Sequence, residues 1–249
     1  MTNPLRTSDV ARRTGVSVNT VRLYESLGYL PPVPRAANGY RMFDARHVKH
    51  VELVRQAMRC TWIGGDIRRI ALATLTIAAD GDYAAALERA HSLSDRLQAE
   101  QDHAEAALRV LDTWVHRAAE SESRASYRIG QVAQRLHVSI DELRNWERNG
   151  LYSVARADNG YRMYAQADID RLLVIRSLRR ARYSTMAILR LLQYLDAGET
   201  NHLREILDSP PPEADFETYP TDSWLSTVAS MCEAAAHMLT ILRELANPP

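Results

Sequence analysis

An internal duplication constrains the fold of this chain more than any other feature of its sequence. Residues 6–30, RTSDVARRTGVSVNTVRLYESLGYL, align with residues 128–152, RIGQVAQRLHVSIDELRNWERNGLY, at an offset of 122 positions. The second stretch lacks one residue in the loop that follows. The offset is then 121 positions, from Arg35 and Arg156 through a shared NGYRM to Ile67 and Ile188. Two copies of this length indicate a duplicated domain, because solenoids need three or more repeats to bury a continuous core. We refer to them as copy one and copy two.

Each copy begins with a pattern typical of a helix, a tight turn and a second helix. Ser17 and Ser139 are suitable N-caps for the second helix, and Glu142 completes a capping box with Ser139. Gly28 and Gly150 stand where that helix should end in a left-handed cap. This layout is that of a helix-turn-helix, whose second, recognition helix enters the major groove of DNA.

A short hairpin and two more helices complete each copy. Asn-Gly, at 38–39 and 159–160, is the strongest short signal for a tight turn between two strands. We expect Arg35 and Arg156 on the incoming arms, and residues 40–43 and 161–164 on the outgoing arms. The third helices are predicted at about 44–59 and 165–181, and the fourth at about 66–75 and 185–196.

Two long apolar stripes follow the two copies. The first predicts a helix from about Tyr83 to Arg117, and the second a helix from about Asp222. Spacing of three and four residues is typical of helices that pack along one partner helix. The stripe positions that we assign to pairing are Leu93, Leu97, Leu108, Leu111 and Val115, and then Leu225, Val228, Cys232, Leu239 and Leu242.

These elements together resemble one family. TVRLYESLGYL followed by NGYRMF is similar to the DNA-binding pattern of MerR-type transcription regulators, and ELRNWERNGLY followed by NGYRMY resembles it more loosely. The resemblance covers roughly half of the chain. It implies winged-helix domains, each with a hairpin wing, and a long helix that pairs antiparallel with its counterpart in a dimer.

The expected fold is therefore mainly α, with two winged helix-turn-helix domains that carry small β-hairpin wings, each followed by a long coiled-coil-type helix. We expect a first winged helix over 1–76, a long pairing helix and connector over 82–120, a second winged helix over 127–197, and an acidic, Pro-rich loop with a C-terminal pairing helix over 198–249. Two arrangements stay open at this point. One chain supplies both halves of a pseudo-dimer, or two chains form a homodimer with four modules.

The formal net charge of zero hides a strong alternation. Lys and Arg outnumber Asp and Glu by 10 to 4 in residues 1–60 and by 12 to 6 in residues 127–190. The acidic residues dominate by 11 to 7 in residues 61–126 and by 10 to 2 in residues 191–249. Basic modules joined by acidic connectors suggest two sites for a polyanion. The family resemblance implies that this polyanion is double-stranded promoter DNA.

Candidate DNA contacts lie on the recognition helices and wings. Copy one offers Ser17, Asn19, Thr20, Arg22 and Tyr24 on the helix, and the resemblance places Tyr40 and Arg41 on the DNA backbone with Arg35 nearby. The matching set in copy two is Ser139, Arg144, Asn145, Trp146, Arg156, Tyr161 and Arg162. Arg22 is the best candidate for a base-edge or phosphate contact.

Some of these side chains have structural alternatives. Tyr40 and Tyr161 are also suited to pack the hairpin on the third helix, Glu25 and Glu147 to pair with a nearby Arg or cap the backbone, and Met42 and Met163 to fill the core.

Copy two departs from the pattern at the start of its recognition helix. Asp141 and Glu142 replace Asn19 and Thr20, and carboxylates near phosphates are repulsive although they suit a helix N-terminus. Copy two therefore reads a different half-site, binds more weakly, or faces something other than DNA.

The sequence favours no cofactor, metal or catalytic site. Cys60 and Cys232 are isolated, no Cys, His or carboxylate set has ligand spacing, and no nucleophile, phosphate-loop or metal motif occurs. The chain shows no signal peptide and no apolar run of about 18 residues, which favours a cytoplasmic location away from membranes. Scattered aromatics, namely Trp62, Trp114, Tyr194, Tyr219 and Trp224, leave a small-molecule effector open without further support.

The most consistent interpretation is a sequence-specific transcription regulator that binds a pseudo-palindromic promoter site through both winged helices. The family resemblance further implies that it distorts the DNA and acts with RNA polymerase. The rivals are a protein that binds or sequesters a small molecule, and an architectural or recombination accessory protein that bends DNA. An enzyme is not expected.

Overall fold

The structure, a computed structural model, describes residues 4–62, 65–117, 126–157, 160–209 and 220–247. Its first helices are α1 (Thr7–Thr14), α2 (Val18–Ser26), α3 (Ala45–Arg59), α4 (Asp66–Ala79) and α5 (Tyr83–Arg117). Next come β1 (Ser126–Arg128), α6 (Ile129–Leu136), α7 (Ile140–Arg148), β2 (Met163–Ala165), α8 (Gln166–Arg180), α9 (Thr185–Asp196) and α10 (Leu203–Asp208). A short 3-10 helix (Pro220–Ser223) leads into α11 (Trp224–Ala246). The predicted mainly α fold class is confirmed.

The chain divides into two compact units. Unit 1 comprises Met1–Ala99 and Val228–Pro249, and unit 2 comprises Glu100–Thr227. Copy one lies in unit 1 and copy two lies in unit 2. Both boundaries fall inside long helices, α5 and α11, so the units do not coincide with the four segments expected from the sequence. Those segments stay a prediction.

The helix-turn-helix of copy one closes over a small apolar core. Its α1, α2 and α3 each turn one apolar face toward the same centre, as helical spacing requires. The buried members of this cluster are Val10, Ala11, Val21, Leu30, Phe43, Val48 and Val51. Met42 and Met163, expected in the core, are only half-buried, whereas the next residues, Phe43 and Tyr164, are fully buried. Side chains alternate along a strand, so the wing strand points its aromatic residue inward.

The strand before α6 pairs with the outgoing wing strand, a pairing that the sequence did not reveal. β1 and β2 are antiparallel, and Tyr127 lies opposite Tyr164. Copy one shows the same relation in shorter form, as an antiparallel bridge between Leu5 and Phe43. In both copies the N-terminal segment therefore ties the wing to the first helix.

In each copy an arginine of the third helix of the repeat caps the first helix. Arg55 of α3 donates a hydrogen bond to the Thr14 carbonyl at 2.5 Å, and Arg176 of α8 donates to the Leu136 carbonyl at 2.7 Å. The last carbonyls of a helix lack partners within the helix, so these donors satisfy groups that burial would otherwise penalise. The two arginines are 121 positions apart, as the repeat requires.

The long helix α5 has the bounds that its apolar stripe predicts. Leu93, Leu97 and Leu111 are fully buried, and Val115 is half-buried. On α11, Val228 and Leu242 are likewise buried. Burial agrees with a packed stripe, while the pairing of the two long helices with each other stays a prediction.

The C-terminal helix α11 packs on α3 in unit 1. Arg59 donates to the Ser230 hydroxyl at 2.7 Å, and the Cys60 thiol approaches the Met231 carbonyl at 3.7 Å. Near the end of α11, Glu244 lies 2.9 Å from Lys49, the one lysine in the sequence. From Val228 onward, α11 thus belongs to unit 1, which contains the first winged helix.

One helix of the described chain, α11, is long and apolar enough to cross a membrane, with a mean hydropathy of 1.3 over its best window. It is not a continuous apolar run in the sequence, because Glu233 and His237 interrupt it. Half of that window is buried inside the protein. Together with the contacts to α3, this burial favours a core helix.

Candidate nucleic-acid interface

The recognition helix of copy one, α2, begins at a capped N-terminus. The Ser17 hydroxyl accepts a hydrogen bond from the Thr20 amide at 3.0 Å and lies 2.8 Å from the Thr20 hydroxyl. Asn19 and Arg22 are exposed, and Arg22 takes part in no ion pair within the described part of the chain. The exposed side of α2 therefore presents an amide and an uncompensated guanidinium.

Tyr24, another candidate contact on α2, faces partly inward. Its ring packs against the apolar cluster of copy one, and burial raises the pKa of its hydroxyl. The aromatic ring thus supports the fold of the recognition helix, and only part of the side chain is left for DNA.

The wing of copy one is a tight hairpin with an exposed tip. Arg35 and Arg41 form the bridge across it, and the Ala36 amide donates to the Tyr40 carbonyl at 2.8 Å. Gly39 adopts a φ of 80°, which a residue with a side chain rarely tolerates. Tyr40 is 70% exposed, so it does not pack on the third helix.

The wing of copy two reproduces this geometry. Arg156 and Arg162 form the bridge, and each incoming arginine reaches the carbonyl of the turn glycine, at 3.3 Å to Gly160 and 3.4 Å to Gly39. Tyr161 is 68% exposed. Asn159, expected in this turn, lies outside the described residues.

A salt bridge joins wing to recognition helix in both copies. Arg41 Nε lies 2.5 Å from Glu25 Oε2, and Arg162 Nη2 lies 2.8 Å from Glu147 Oε2. The Glu147 carboxylate also raises the pKa of the Arg162 guanidinium. The expectation that these glutamates pair with a nearby arginine is confirmed. Two arginines predicted as phosphate contacts are therefore already engaged, and they position the wing.

The recognition helix of copy two, α7, differs from α2 in charge. Ser139 and Glu142 form the predicted capping box, with 3.0 Å from the Glu142 amide to the Ser139 hydroxyl and 2.8 Å from the Ser139 amide to the carboxylate. Arg144, which matches Arg22, lies 3.3 Å from the Asp141 carboxylate. Asn145 is exposed and accepts a hydrogen bond from the Asn149 side chain at 3.1 Å.

Trp146 must be withdrawn from the predicted DNA contacts. It is only 6% exposed, because its position on α7 turns the indole toward the core of copy two. It aligns with Tyr24, which faces the core of copy one in the same way. The sequence pattern hid this, since an aromatic residue on a recognition helix suits either stacking or packing.

The described residues contain no group of three or more His, Cys, Asp or Glu side chains that could hold a metal ion. Burial raises the pKa of the Cys60 thiol to about 12, so this sulfur is a core group. Of the scattered aromatics, Trp62 is exposed, Trp224 is buried, and Tyr219 lies outside the described residues. Trp114 lines a groove of about 410 Å³ between α5 and α8 in unit 2.

Comparison with known proteins gives matches in both copies. The protein-family model described as "MerR family regulatory protein" matches residues 6–43. A second family model, described as "MerR HTH family regulatory protein", matches residues 127–195. The HTH-type transcriptional regulator CueR of Salmonella typhi is 42% identical over 50 residues, which cover 20% of this chain and 36% of the relative. The mercuric resistance operon regulatory protein of Bacillus cereus is 35% identical over 74 residues, or 29% of this chain and 56% of the relative.

A third relative, the regulator CueR of Vibrio cholerae, is 32% identical over 85 residues, or 34% of this chain and 58% of the relative. The chain thus spans between about a third and three fifths of the length of these relatives. All three are named as regulatory proteins, in agreement with the expectation that this chain is not an enzyme. No solved structure shows a significant match.

Proposed function

We propose that this chain, whose two copies each match a MerR-type family model, is a MerR-family, sequence-specific DNA-binding transcription regulator with two tandem winged helices. The observation that carries the proposal is the repeated construction of an exposed wing tyrosine and a salt bridge from wing to recognition helix. Such a frame presents a helix to the major groove and a wing to the adjacent backbone.

The side chains divide into two roles. Arg22 and Asn19 reach base edges or phosphates from the major groove, because they are exposed on α2. Tyr40 and Tyr161, with Arg35 and Arg156, meet the backbone from the wings. Arg41 and Arg162 act mainly by holding each wing at its recognition helix.

The proposed DNA site is pseudo-palindromic, with one half-site for each copy. One chain would supply both halves of what the family builds from two subunits, and α5 and α11 would take the place of the paired helices. The competing arrangement is a homodimer with four modules. Either way, distortion of the promoter costs on the order of 1–6 kcal/mol, which the contacts of both modules offset.

RNA polymerase is the proposed partner, and the bacterial cytoplasm is the proposed location. A second function, binding of a small molecule, has one observation in its favour. The groove that contains Trp114 is largely apolar, with Val110, Leu173 and Val174 among its lining residues and Arg109 and Asp170 as charged groups. An apolar groove with few polar groups is the usual form of a ligand site.

Gel-shift titration of the wild-type protein with a selected pool of random duplexes tests the proposed function. We expect enrichment of a consensus with two half-sites and a steep loss of affinity with salt, because phosphate neutralisation releases counterions. Failure to enrich any sequence, with no salt-dependent binding, would overturn the proposal in favour of the small-molecule alternative or another role.

A further inference from the structure

The two recognition helices, α2 and α7, have the same length and the same N-cap residue type, but they differ in charge at the N-terminal end, which enters the major groove in the proposed complex. The first turn of α2 contains no acidic residue, whereas that of α7 contains Asp141 and Glu142. In a bound complex this end lies closest to the base edges and flanking phosphates. The difference therefore sits where DNA recognition is most sensitive to charge.

The two carboxylates of α7 have unequal roles. Glu142 is folded back on the Ser139 amide in the capping box, so its charge has a structural use. Asp141 is not part of that cap, and its side chain is 90% exposed. Its one recorded ion-pair partner in the described chain is Arg144, at 3.3 Å.

Asp141 also offsets part of the positive charge of its neighbour Arg144. Arg144 occupies the position of Arg22 in the repeat. Arg22 is unpaired within the described chain, while Arg144 shares its charge with Asp141. Copy two thus keeps the arginine of copy one but places beside it an anion that copy one lacks.

The wings do not differ in this way. Tyr40 and Tyr161 have nearly equal exposure, and the salt bridges to the recognition helices have the same partners in both copies. The wing surface is therefore alike in the two copies, whereas the first turn of the recognition helix differs in charge.

We propose that Asp141 is a specificity-determining residue that makes the DNA site of this protein asymmetric. Unit 1 holds one half-site tightly through α2, and unit 2 holds the other weakly, by its wing and with little reading of bases. This inference rests on the proposed function. Like charges about 6 Å apart in water repel by an amount that corresponds to roughly a threefold change in affinity.

Reciprocal substitution at the matched positions tests the inference on the full chain. On the selected duplex, Asp141→Asn should tighten binding roughly threefold and strengthen the footprint over the weaker half-site, because it removes the anion and releases Arg144. Asn19→Asp should weaken the footprint over the stronger half-site by a similar factor. Glu142→Gln, which keeps the capping geometry, is the matched control and should have a smaller effect.

The outcomes separate the inference from the function. Wild-type protein that binds the duplex, with Asp141→Asn unchanged or weaker, would overturn the inference alone, and a weaker variant would show that Asp141 accepts a hydrogen bond from a base. Equal wild-type footprints over both half-sites would also overturn it. Asn19→Asp adds a favourable charge at a helix N-terminus, so a loss of binding there is not explained by unfolding. Wild-type protein without salt-dependent binding would overturn the proposed function itself.

Discussion

At the scale of single residues, salt bridges from wing to recognition helix engage two arginines that are candidate phosphate contacts. The family resemblance implies that Arg41, and with it the matching Arg162, contacts the DNA backbone. Each is paired with a glutamate, and all four side chains are largely shielded from solvent. A neutral pair releases few DNA counterions, so the electrostatic footprint of copy one should come mainly from residues such as Arg22.

Substitution of Arg22 can be compared with substitution of the ion pair of Glu25 and Arg41. The comparison distinguishes an arginine that contacts DNA from one that only positions the wing. Arg22→Gln should reduce the slope of log affinity against log salt by about 0.9 if the guanidinium meets a phosphate, or relax base preference if it meets a base. The double variant Glu25→Gln/Arg41→Gln should keep the wild-type slope, because it removes no net charge. Gel shifts over a range of salt concentrations measure both. A slope reduced as much in the double variant as in Arg22→Gln would mean that Arg41 contacts phosphate directly.

At the scale of elements, the junction between α3 and α5 contains a buried, uncharged histidine. His50 is fully buried, and its Nε2 lies 3.2 Å from the Tyr83 hydroxyl. Burial, and then the charges of Arg46 and His47, lower the pKa of His50 to about 4, while Asp44 opposes the shift. The folded state therefore keeps this imidazole neutral where the unfolded chain would protonate it.

This burial predicts a loss of stability in mild acid. Between pH about 6.5 and 4 the unfolded state binds a proton at His50 that the folded state does not, so stability falls as the pH falls. The full effect is on the order of 3 kcal/mol. Denaturant unfolding gives the free energy of unfolding at pH 7 and at pH 5. Its decrease from pH 7 to pH 5 should be smaller for His50→Gln than for the wild type. Equal differences in the two proteins would show that His50 does not titrate in this way.

At the scale of the whole molecule, the last helix completes the unit that begins the chain. α11 contacts α3 through Ser230, Met231 and Glu244, and Val228 onward belongs to unit 1. The stability of the first winged helix therefore depends on residues near the C-terminus.

A substitution near the C-terminus should accordingly destabilise unit 1. Leu242 is fully buried on α11, and Leu242→Ala should lower the free energy of unfolding by about 2–5 kcal/mol through lost burial and a cavity. The neighbouring exposed substitution Arg243→Ala is the control and should change little. In Leu242→Ala the amides of α3 should exchange their hydrogens faster than in the wild type, as measured by mass spectrometry. Unchanged protection of α3 in Leu242→Ala would contradict the dependence.

The solution mass distinguishes the two proposed arrangements. One chain that supplies both halves of the site should have a mass of 28.1 kDa by light scattering. Twice that mass would support the homodimer with four modules. The measurement should be made with and without the selected duplex, because DNA binding can itself promote association.

The sequence by itself determined the features that depend on neighbouring residues. The duplication is visible as repeated residues. The caps at Ser17 and Ser139, the Asn-Gly turn of the first wing and the bounds of α5 follow from local periodicity and turn chemistry, which a linear pattern records directly. The resemblance of both copies to MerR-type regulators was legible for the same reason.

Only the tertiary structure decided which distant groups meet. The partner of Glu25 lies 16 residues away, and that of Arg55 lies 41 residues away. Trp146 proved to be a core residue, and α11 joined unit 1 through contacts 171 residues apart in the chain. Apolar periodicity says that a face is buried, but not against what, because hydrophobic burial is not directional and many partners satisfy it.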